Sequence, residues 1–330
     1  MVVGGANWDR TWVLPALPAA GETVVGELAA EGPGGKGFNI AVGVSRLDEG
    51  VALVARVGDD DAGRRLLAAL DEAGVDGSGV VIAPGELSGA AAVWLAAGES
   101  TIAVGAGANA GLGAEEVEAA LERCGEDCAL VVLQAEASDA ALLAAEAWVG
   151  SRRARDTPRP GRRPQPRVLL SPSPVRELPP QVWAVADLVI VSRVEAASLT
   201  GLTVGDPLDA EDAALALLER GPSVAVVTLG SEGAVVARGE RATYLPPYTV
   251  DAVDPTGAGD AACAALARGT VAGLDVFAAT GYAMAAAAFC VGRRGAAAAM
   301  PTLDEVDRMV HSVDLRRDEG TAPVRLLDLR

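Results

Sequence analysis

Gly32-Pro33-Gly34-Gly35-Lys36-Gly37-Phe38-Asn39 opens the first helical pattern of the chain. Gly32, Gly34 and Gly37 match the G-x-G-x-x-G spacing of a dinucleotide-binding turn, but such a turn directly follows the first core strand. Here the first strand-like run, Val2–Gly5, lies roughly 30 residues upstream, so a dehydrogenase turn is set aside. A P-loop is excluded too, because Lys36 is followed by Gly37 rather than Ser or Thr and the preceding spacing is wrong. What remains is a turn where backbone can come close to a ligand. Lys36 is also the only lysine among 27 basic residues. A compact ammonium on a slim stem suits a crowded polar pocket that would not admit the planar fork of Arg. An accident of composition is the alternative reading.

Outward from this turn, short β-rich runs alternate with Ala/Leu-rich helical patterns. Strands are expected at Val2–Gly5, Val51–Val57, Leu130–Leu133, Val168–Leu170, Leu188–Val191 and Val224–Thr228. Helices are expected at Asn39–Leu47, Ala62–Ala73, Ala114–Glu122, Ala140–Val149, Ala210–Arg220, Ala258–Arg268 and Val276–Val291. The alternation predicts a doubly wound α/β sheet, mostly parallel and flanked by helices. Thr11–Leu14 with Glu22–Ala29, and Ala90–Ala96 with Thr101–Val104, read instead as strand-turn-strand pieces of a small accessory sheet. Ser151–Arg167, with seven Arg and four Pro, reads as a solvated, disordered loop. The segment beyond His311 reads as a fraying tail.

Half of the 330 residues are apolar and only 3% are aromatic, which suits Ala- and Val-rich helices packed on a buried parallel sheet. The net charge of −18 argues against nucleic acid as the main partner, because neutralising phosphates needs a basic face. The single histidine, His311, speaks against Ser-His-Asp and Cys-His catalysis and against His-ligated metals, leaving a carboxylate as the natural general base. Cys124, Cys128, Cys263 and Cys290 lack the paired spacing of a zinc site and read as reduced thiols of a cytoplasmic protein. The N-terminus lacks the pattern of a signal peptide, and Ala278–Val291 is too short and Gly-interrupted to span a bilayer, so no membrane association is expected.

A second glycine motif, Asp254-Pro-Thr-Gly-Ala-Gly-Asp260, is followed by the small-residue helix Ala261–Arg268. Gly257, Ala258 and Gly259 would expose backbone N–H groups at a helix N-terminus, a nest for a phosphate or oxyanion. Asp260 beside that nest could take a proton from an attacking hydroxyl, the minimum apparatus for phosphoryl transfer to an alcohol. It reads equally well as a helix cap.

Together these strings resemble the ribokinase-like (PfkB) family of carbohydrate kinases from Val2 to Pro301. The resemblance is carried by Gly5-Ala-Asn7-Trp-Asp9, Pro18–Gly26, both glycine motifs, Ala106-Gly-Ala-Asn-Ala110, Gln134-Ala-Glu136 and Thr228-Leu-Gly-Ser-Glu-Gly233. It implies a kinase body (1–10, 34–88 and 105–310), a β-sheet lid (11–33 and 89–104), an inserted loop (151–167) and a C-terminal tail (311–330). Asn7, Asp9, Gly35, Lys36, Gly37, Asn39 and Glu136 would bind the sugar. Asp260, with Gly257, Ala258 and Gly259, would carry catalysis. Ser192, Glu195, Thr228, Gly230, Ser231, Gly233, Gly259 and Met284 would meet ATP and its Mg2+. Asp254, Thr256, Cys290, Arg293 and Gly295 would ring a K+ ion.

Three single positions and one four-residue stretch depart from the family pattern. Ser192 stands where an Asn is usual, Met284 replaces a His, Ala299 replaces a Ser, and Ala261–Ala264 replaces Thr-Phe-Asn-Gly. The implied activity is ATP-dependent phosphorylation of a primary hydroxyl, with D-ribose giving D-ribose 5-phosphate as the expected reaction. Phe38 keeps a fructose derivative or a nucleoside open, and Ser192 with Ala299 keeps open a weakly active binding protein. The family also implies a homodimer through the lid sheets.

Overall fold

A computed structural model describes residues 1–96, 99–125, 127–155 and 165–317. In chain order its strands are β1 (Val2–Val3), β2 (Asn7–Val13), β3 (Glu27–Gly34), β4 (Leu53–Gly58), β5 (Val80–Ala83), β6 (Gly89–Ala96) and β7 (Glu99–Gly105). They continue with β8 (Leu130–Gln134), β9 (Arg167–Ser171), β10 (Leu188–Ser192), β11 (Val224–Thr228), β12 (Ala234–Arg238) and β13 (Arg241–Leu245). The helices are α1 (Lys36–Arg46), α2 (Asp61–Glu72), α3 (Ala114–Cys124), α4 (Asp139–Arg155) and α5 (Pro180–Val185). After them come α6 (Arg193–Thr200), α7 (Pro207–Leu218), α8 (Ala258–Val271), α9 (Val276–Val291) and α10 (Leu303–Arg317).

Nine strands form the main sheet in the order β13-β12-β11-β10-β9-β8-β1-β4-β5, parallel from β11 to β5 with the β12–β13 hairpin antiparallel at one edge. Alternate residues of each strand feed two separate cores, as the pleat requires. Val2, Leu53, Val132 and Val226 pack towards α1, α8 and α9. Val3, Val54, Val131 and Val227 pack towards α3, α4 and α7. Burial on both faces is why these strands read as unbroken apolar runs. Helix α9 is buried nearly all round, and its alanines let it lie close to α8, with Ala279 against Gly269.

The chain leaves β1 towards β4 and β5 and returns to β8 on the other side of β1. That reversal of strand order opens a crevice at the carboxyl ends of β1 and β8, the place where open α/β sheets bind ligands. A second sheet, β3-β2-β6-β7, rises from the same end: β2 continues from β1 after only Gly4, Gly5 and Ala6.

Several expected boundaries move. Strand β2 starts at Asn7 and β3 runs to Gly34, so Gly32-Pro33-Gly34 is strand rather than loop. Pro33 is tolerated because β3 is the edge of its sheet. Helix α1 begins at Lys36 rather than Asn39, its first N–H taken up by Glu136. Helix α4 runs on to Arg155, into the segment expected to be disordered, and Arg153 ties it down by bonds to the Pro166 and Val185 carbonyls and the Asp187 carboxylate. The rest of that segment, 156–164, lies outside the described residues. Helix α10 continues past His311 to Arg317, and 318–330 lie outside the described residues. Among the described residues no helix is long and apolar enough to cross a membrane.

Candidate active site

The first glycine motif is built for close packing. A Cβ on Gly37 would fall 2.7 Å from the Gly4 carbonyl carbon and the Gly5 nitrogen, so α1 starts directly on the end of β1. Glu136, just past β8, accepts from the Lys36 backbone N–H at 2.9 Å. Its own N–H donates to Gln134 Oε1 at 2.8 Å, and Gln134 donates in turn to the Ser173 carbonyl. The start of α1 is thus stitched across the crevice between β1 and β8.

The second motif closes the crevice from α8. Gly257 takes φ +82° at the N-cap, and Asp260 sits buried in the first helical turn. The N-cap makes no side-chain bond, and Asp260 is not a cap. Its Oδ2 accepts from Asn39 Nδ2 at 2.8 Å, and its Oδ1 lies 3.9 Å from Lys36 Nζ. Two motifs far apart in sequence therefore meet at one carboxylate. Burial pushes the Asp260 carboxyl above its usual range, while the Lys36 ammonium and the Asn39 amide pull the other way. Asp260 in turn raises Lys36 against the effect of its burial. Such a carboxylate can accept a proton from a hydroxyl placed against it.

Lys36, Asp260, Gly257 and Gly259 line a cleft of ≈ 240 Å³ together with Ser171, Ser173, Ser192, Glu195 and Thr228. Among the described residues nothing accepts from the Gly257 and Gly259 N–H groups. The expectation for Ala258 is corrected: its N–H turns back onto the Pro255 carbonyl at 3.3 Å, so it adds no donor to the nest. Lys36 joins both sides of the site, with its backbone on Glu136 and its ammonium in the cleft.

Asn7 and Asp9 lie two residues apart on β2 and so share a face, opposite Gly34 and Gly32. Asp9 Oδ1 and Asn39 Oδ1 are buried acceptors without a donor. Buried polar atoms are rarely left so, and a ligand rich in hydroxyl donors would satisfy both. Asp9 is pushed up to about 7 by burial and by Glu136 and Asp260. Glu136 also reaches about 7, burial outweighing the bond from the Lys36 backbone. Phe38 is fully buried in the core and lines no part of the cleft.

Of the expected nucleotide residues, Ser192, Glu195, Thr228 and Gly259 line the cleft. Ser192 Oγ accepts from the Glu195 N–H and Glu195 Oε2 accepts from the Ser192 N–H at 2.7 Å, a reciprocal helix cap that accounts for Ser at this position. Gly230, Ser231 and Gly233 form the turn from β11 to β12, with φ +61° and +96° at the two glycines. Met284 is buried on α9 and does not line the cleft.

The five expected cation residues gather in one place. Asp254 Oδ1 accepts from the Thr256 N–H and its Oδ2 from the Gly295 N–H, both at 2.9 Å. The Arg293 N–H donates to the Cys290 carbonyl, and the Cys290 thiol to the Thr256 carbonyl. Burial works against the Asp254 carboxylate, but the bonds from Thr256 and Gly295 hold it below its usual range. An ionised carboxylate among carbonyl oxygens, each with a lone pair to spare, suits a weakly held monovalent cation. Among the described residues no three His, Cys, Asp or Glu side chains group as a metal site.

Two residues were missed by the sequence reading. Asn109 bonds to Ala6 and Asn7, and Gln134 orients Glu136. Both stood inside quoted strings, but polar residues after a strand look like any loop until their partners are known.

The family model for pfkB family carbohydrate kinases matches residues 1–303. The chain is 32% identical over 310 residues to the ribokinase of Bacillus subtilis, covering 94% of this chain and 98% of that one. It is 30% identical over 306 residues to a deoxyribokinase of Salmonella typhi, covering 92% and 96%. The structure of Arabidopsis thaliana ribokinase complexed with ribose and ATP superposes with a TM-score of 0.80 at 27% identity, covering 94% and 97%. The chain belongs to the pfkB family of carbohydrate kinases and is an ATP-dependent sugar phosphotransferase.

Proposed function

We propose that the protein phosphorylates the primary hydroxyl of D-ribose, giving D-ribose 5-phosphate, as a cytoplasmic enzyme. The observation that carries this is the pair of orphaned acceptors, Asp9 Oδ1 and Asn39 Oδ1, buried beside Asp260. Together with Asn7 and Glu136 they form a polar surface matched to a polyhydroxy ligand. A site built on such bonds rejects analogues that lack the hydroxyls. Asp260 takes the proton of the attacking hydroxyl. The open N–H groups of Gly257 and Gly259, with Lys36, face the transferring phosphoryl group, where fixed donors stabilise developing charge without reorganising. ATP would lie along the cleft past Ser192, Glu195 and Thr228, and Mg2+ carried with it would neutralise phosphate charge. Asp254 and the nearby carbonyls would hold a K+ ion, whose charge would steady the turn that leads into α8. The sheet β3-β2-β6-β7 acts as a lid that excludes water. Its exposed apolar side chains, among them Val13, Leu28, Ile102 and Val104, suit a homodimer that covers them.

Release of ADP across a panel of pentoses, hexoses and nucleosides, with and without K+, tests the reading. Ribose should give the highest kcat/KM, raised by K+. A nucleoside or fructose derivative turned over faster than ribose would overturn the substrate assignment.

A further inference from the structure

We propose that Asn109 is a positioning residue that fixes the hydrogen-bond polarity of Asn7, so that Asn7 meets the sugar as a donor. The proposal rests on the sugar-kinase reading above.

Backbone groups, whose roles are unambiguous, set the direction of the chain of bonds. The Ala6 N–H donates to one side-chain atom of Asn109 at 3.0 Å, and that atom must therefore be Oδ1. The other arm is then the Nδ2 group, which donates to the Ala6 carbonyl at 3.1 Å and to Asn7 at 2.8 Å. The atom of Asn7 facing it can only be Oδ1. Its Nδ2 is left as the free arm, and among the described residues nothing accepts from it.

Asn109 is 4% exposed and Asn7 3%, so water does not compete freely for these bonds. The segment carrying Asn109 is itself braced. Arg56 bonds both the Gly111 carbonyl and the Glu86 carboxylate, which flank the β6–β7 hairpin in sequence. Gly89, paired with Asn7 in the sheet, leaves the room that the pair needs. A Cβ there would fall 2.2 Å from both Asn7 Oδ1 and Asn109 Nδ2. Asp9 and Asn39 offer acceptors, so a donor from Asn7 completes a site able to use a hydroxyl both ways.

Two variants test this. Asn109→Asp keeps the acceptor for Ala6 but removes the donor to Asn7, whose amide would turn over and present Oδ1 to the sugar. Gly89→Ala wedges the pair apart without deleting a polar group. Both should raise the KM for ribose roughly ten- to a hundredfold, the effect of one misdirected buried hydrogen bond, with kcat much less affected. The penalty should vanish for whichever of 2-deoxyribose and 3-deoxyribose lacks the hydroxyl that Asn7 meets. A purely structural role would instead lower kcat/KM equally for all three sugars and would overturn the proposal. So would a wild-type ribose KM in either folded variant. If Asn109→Asp fails to fold, Gly89→Ala decides alone, and failure of both to fold would make the junction structural and overturn the proposal. A wild-type protein that turns over no ribose would defeat the substrate reading itself, and the proposal with it.

Discussion

Asp260→Asn separates proton transfer from everything else that Asp260 does. The amide matches the carboxylate in size, and its Oδ1 can still accept the 2.8 Å bond from Asn39. Lys36 loses its anionic partner at 3.9 Å, but its side chain is 36% exposed and can be hydrated. What disappears is the ability to take a proton. Removing a general base costs roughly 10²–10⁴ in turnover, which is about 2.7–5.5 kcal/mol of barrier. Folding should not suffer. A carboxyl raised by burial favours the folded state only while protonated, so a neutral amide spares the cost of ionisation at pH 7. The assay is steady-state ADP release against sugar concentration, with thermal unfolding in parallel. The expected outcome is kcat down by 10²–10⁴, an unchanged or raised Tm, and a lost rise of kcat/KM with pH on the acid side. Turnover within tenfold of wild type would refute Asp260 as the base. A raised sugar KM with normal kcat would reassign it to binding.

Lys36→Met should lower kcat and move the acid limb of the pH–rate profile upwards, because Lys36 helps to keep Asp260 ionised; an unmoved limb would break the link. Lys36→Arg should keep the limb in place but raise the sugar KM, since the fork crowds a pocket shaped for an ammonium. Ligand-free protein should lose thermal stability between pH 5 and pH 8. Asp9 and Glu136 rise from 3.8 and 4.5 to about 7, so the protons they hold only in the folded state favour folding below the unfolded values, an advantage lost as pH climbs through 7. A flat Tm over that range would contradict the burial of these groups. Gly37→Ala should cost about 1–3 kcal/mol in urea unfolding, the usual price of overpacking, because its Cβ meets the backbone of Gly4 and Gly5.

The main sheet was legible because its strands are buried on both faces and read as unbroken apolar runs, Leu130–Leu133 and Val224–Thr228 among them. The start of α1 was not, since the bond that begins it at Lys36 comes from Glu136, a hundred residues away. Pro33 hid the end of β3 because its tolerance depends on lying at a sheet edge, which no local pattern reveals. For the site, the two glycine motifs marked the residues that converge on Asp260. Whether Asp260 capped α8 or faced the cleft was undecidable until Asn39 and Lys36 were seen beside it. Ala258 shows the converse. Its place in the motif suggested a donor, and only the three-dimensional turn shows the N–H folded back onto Pro255.

The electrostatics of the site bear on which sugar it can hold. Asp260, Glu195 and Glu136 all act on Lys36, so one cation faces three carboxyls, and Glu136 and Asp260 act on Asp9 as well, in a chain of net charge −18. An anionic cosubstrate can approach only where donors outnumber these acids, at the N–H groups of Gly257 and Gly259 and the positive end of α8. The sugar side has no such compensation. On the proposed reading, a neutral polyol would donate hydrogen bonds from its hydroxyls to Asp9 and Glu136 with no charge penalty. A sugar that already bears a phosphate brings a charge of about −1.5 to −2. At an effective dielectric of 20, two unit charges 5 Å apart repel by about 3 kcal/mol, more than the roughly 1 kcal/mol net gain of a hydrogen bond. Repulsion therefore wins, increasingly so above pH 7 as Asp9 and Glu136 ionise. On the proposed reading, the acids that would hold an unphosphorylated sugar would also hasten departure of the phosphorylated one, and Lys36, held by Asp260 on the cleft side, marks the boundary between these two fields.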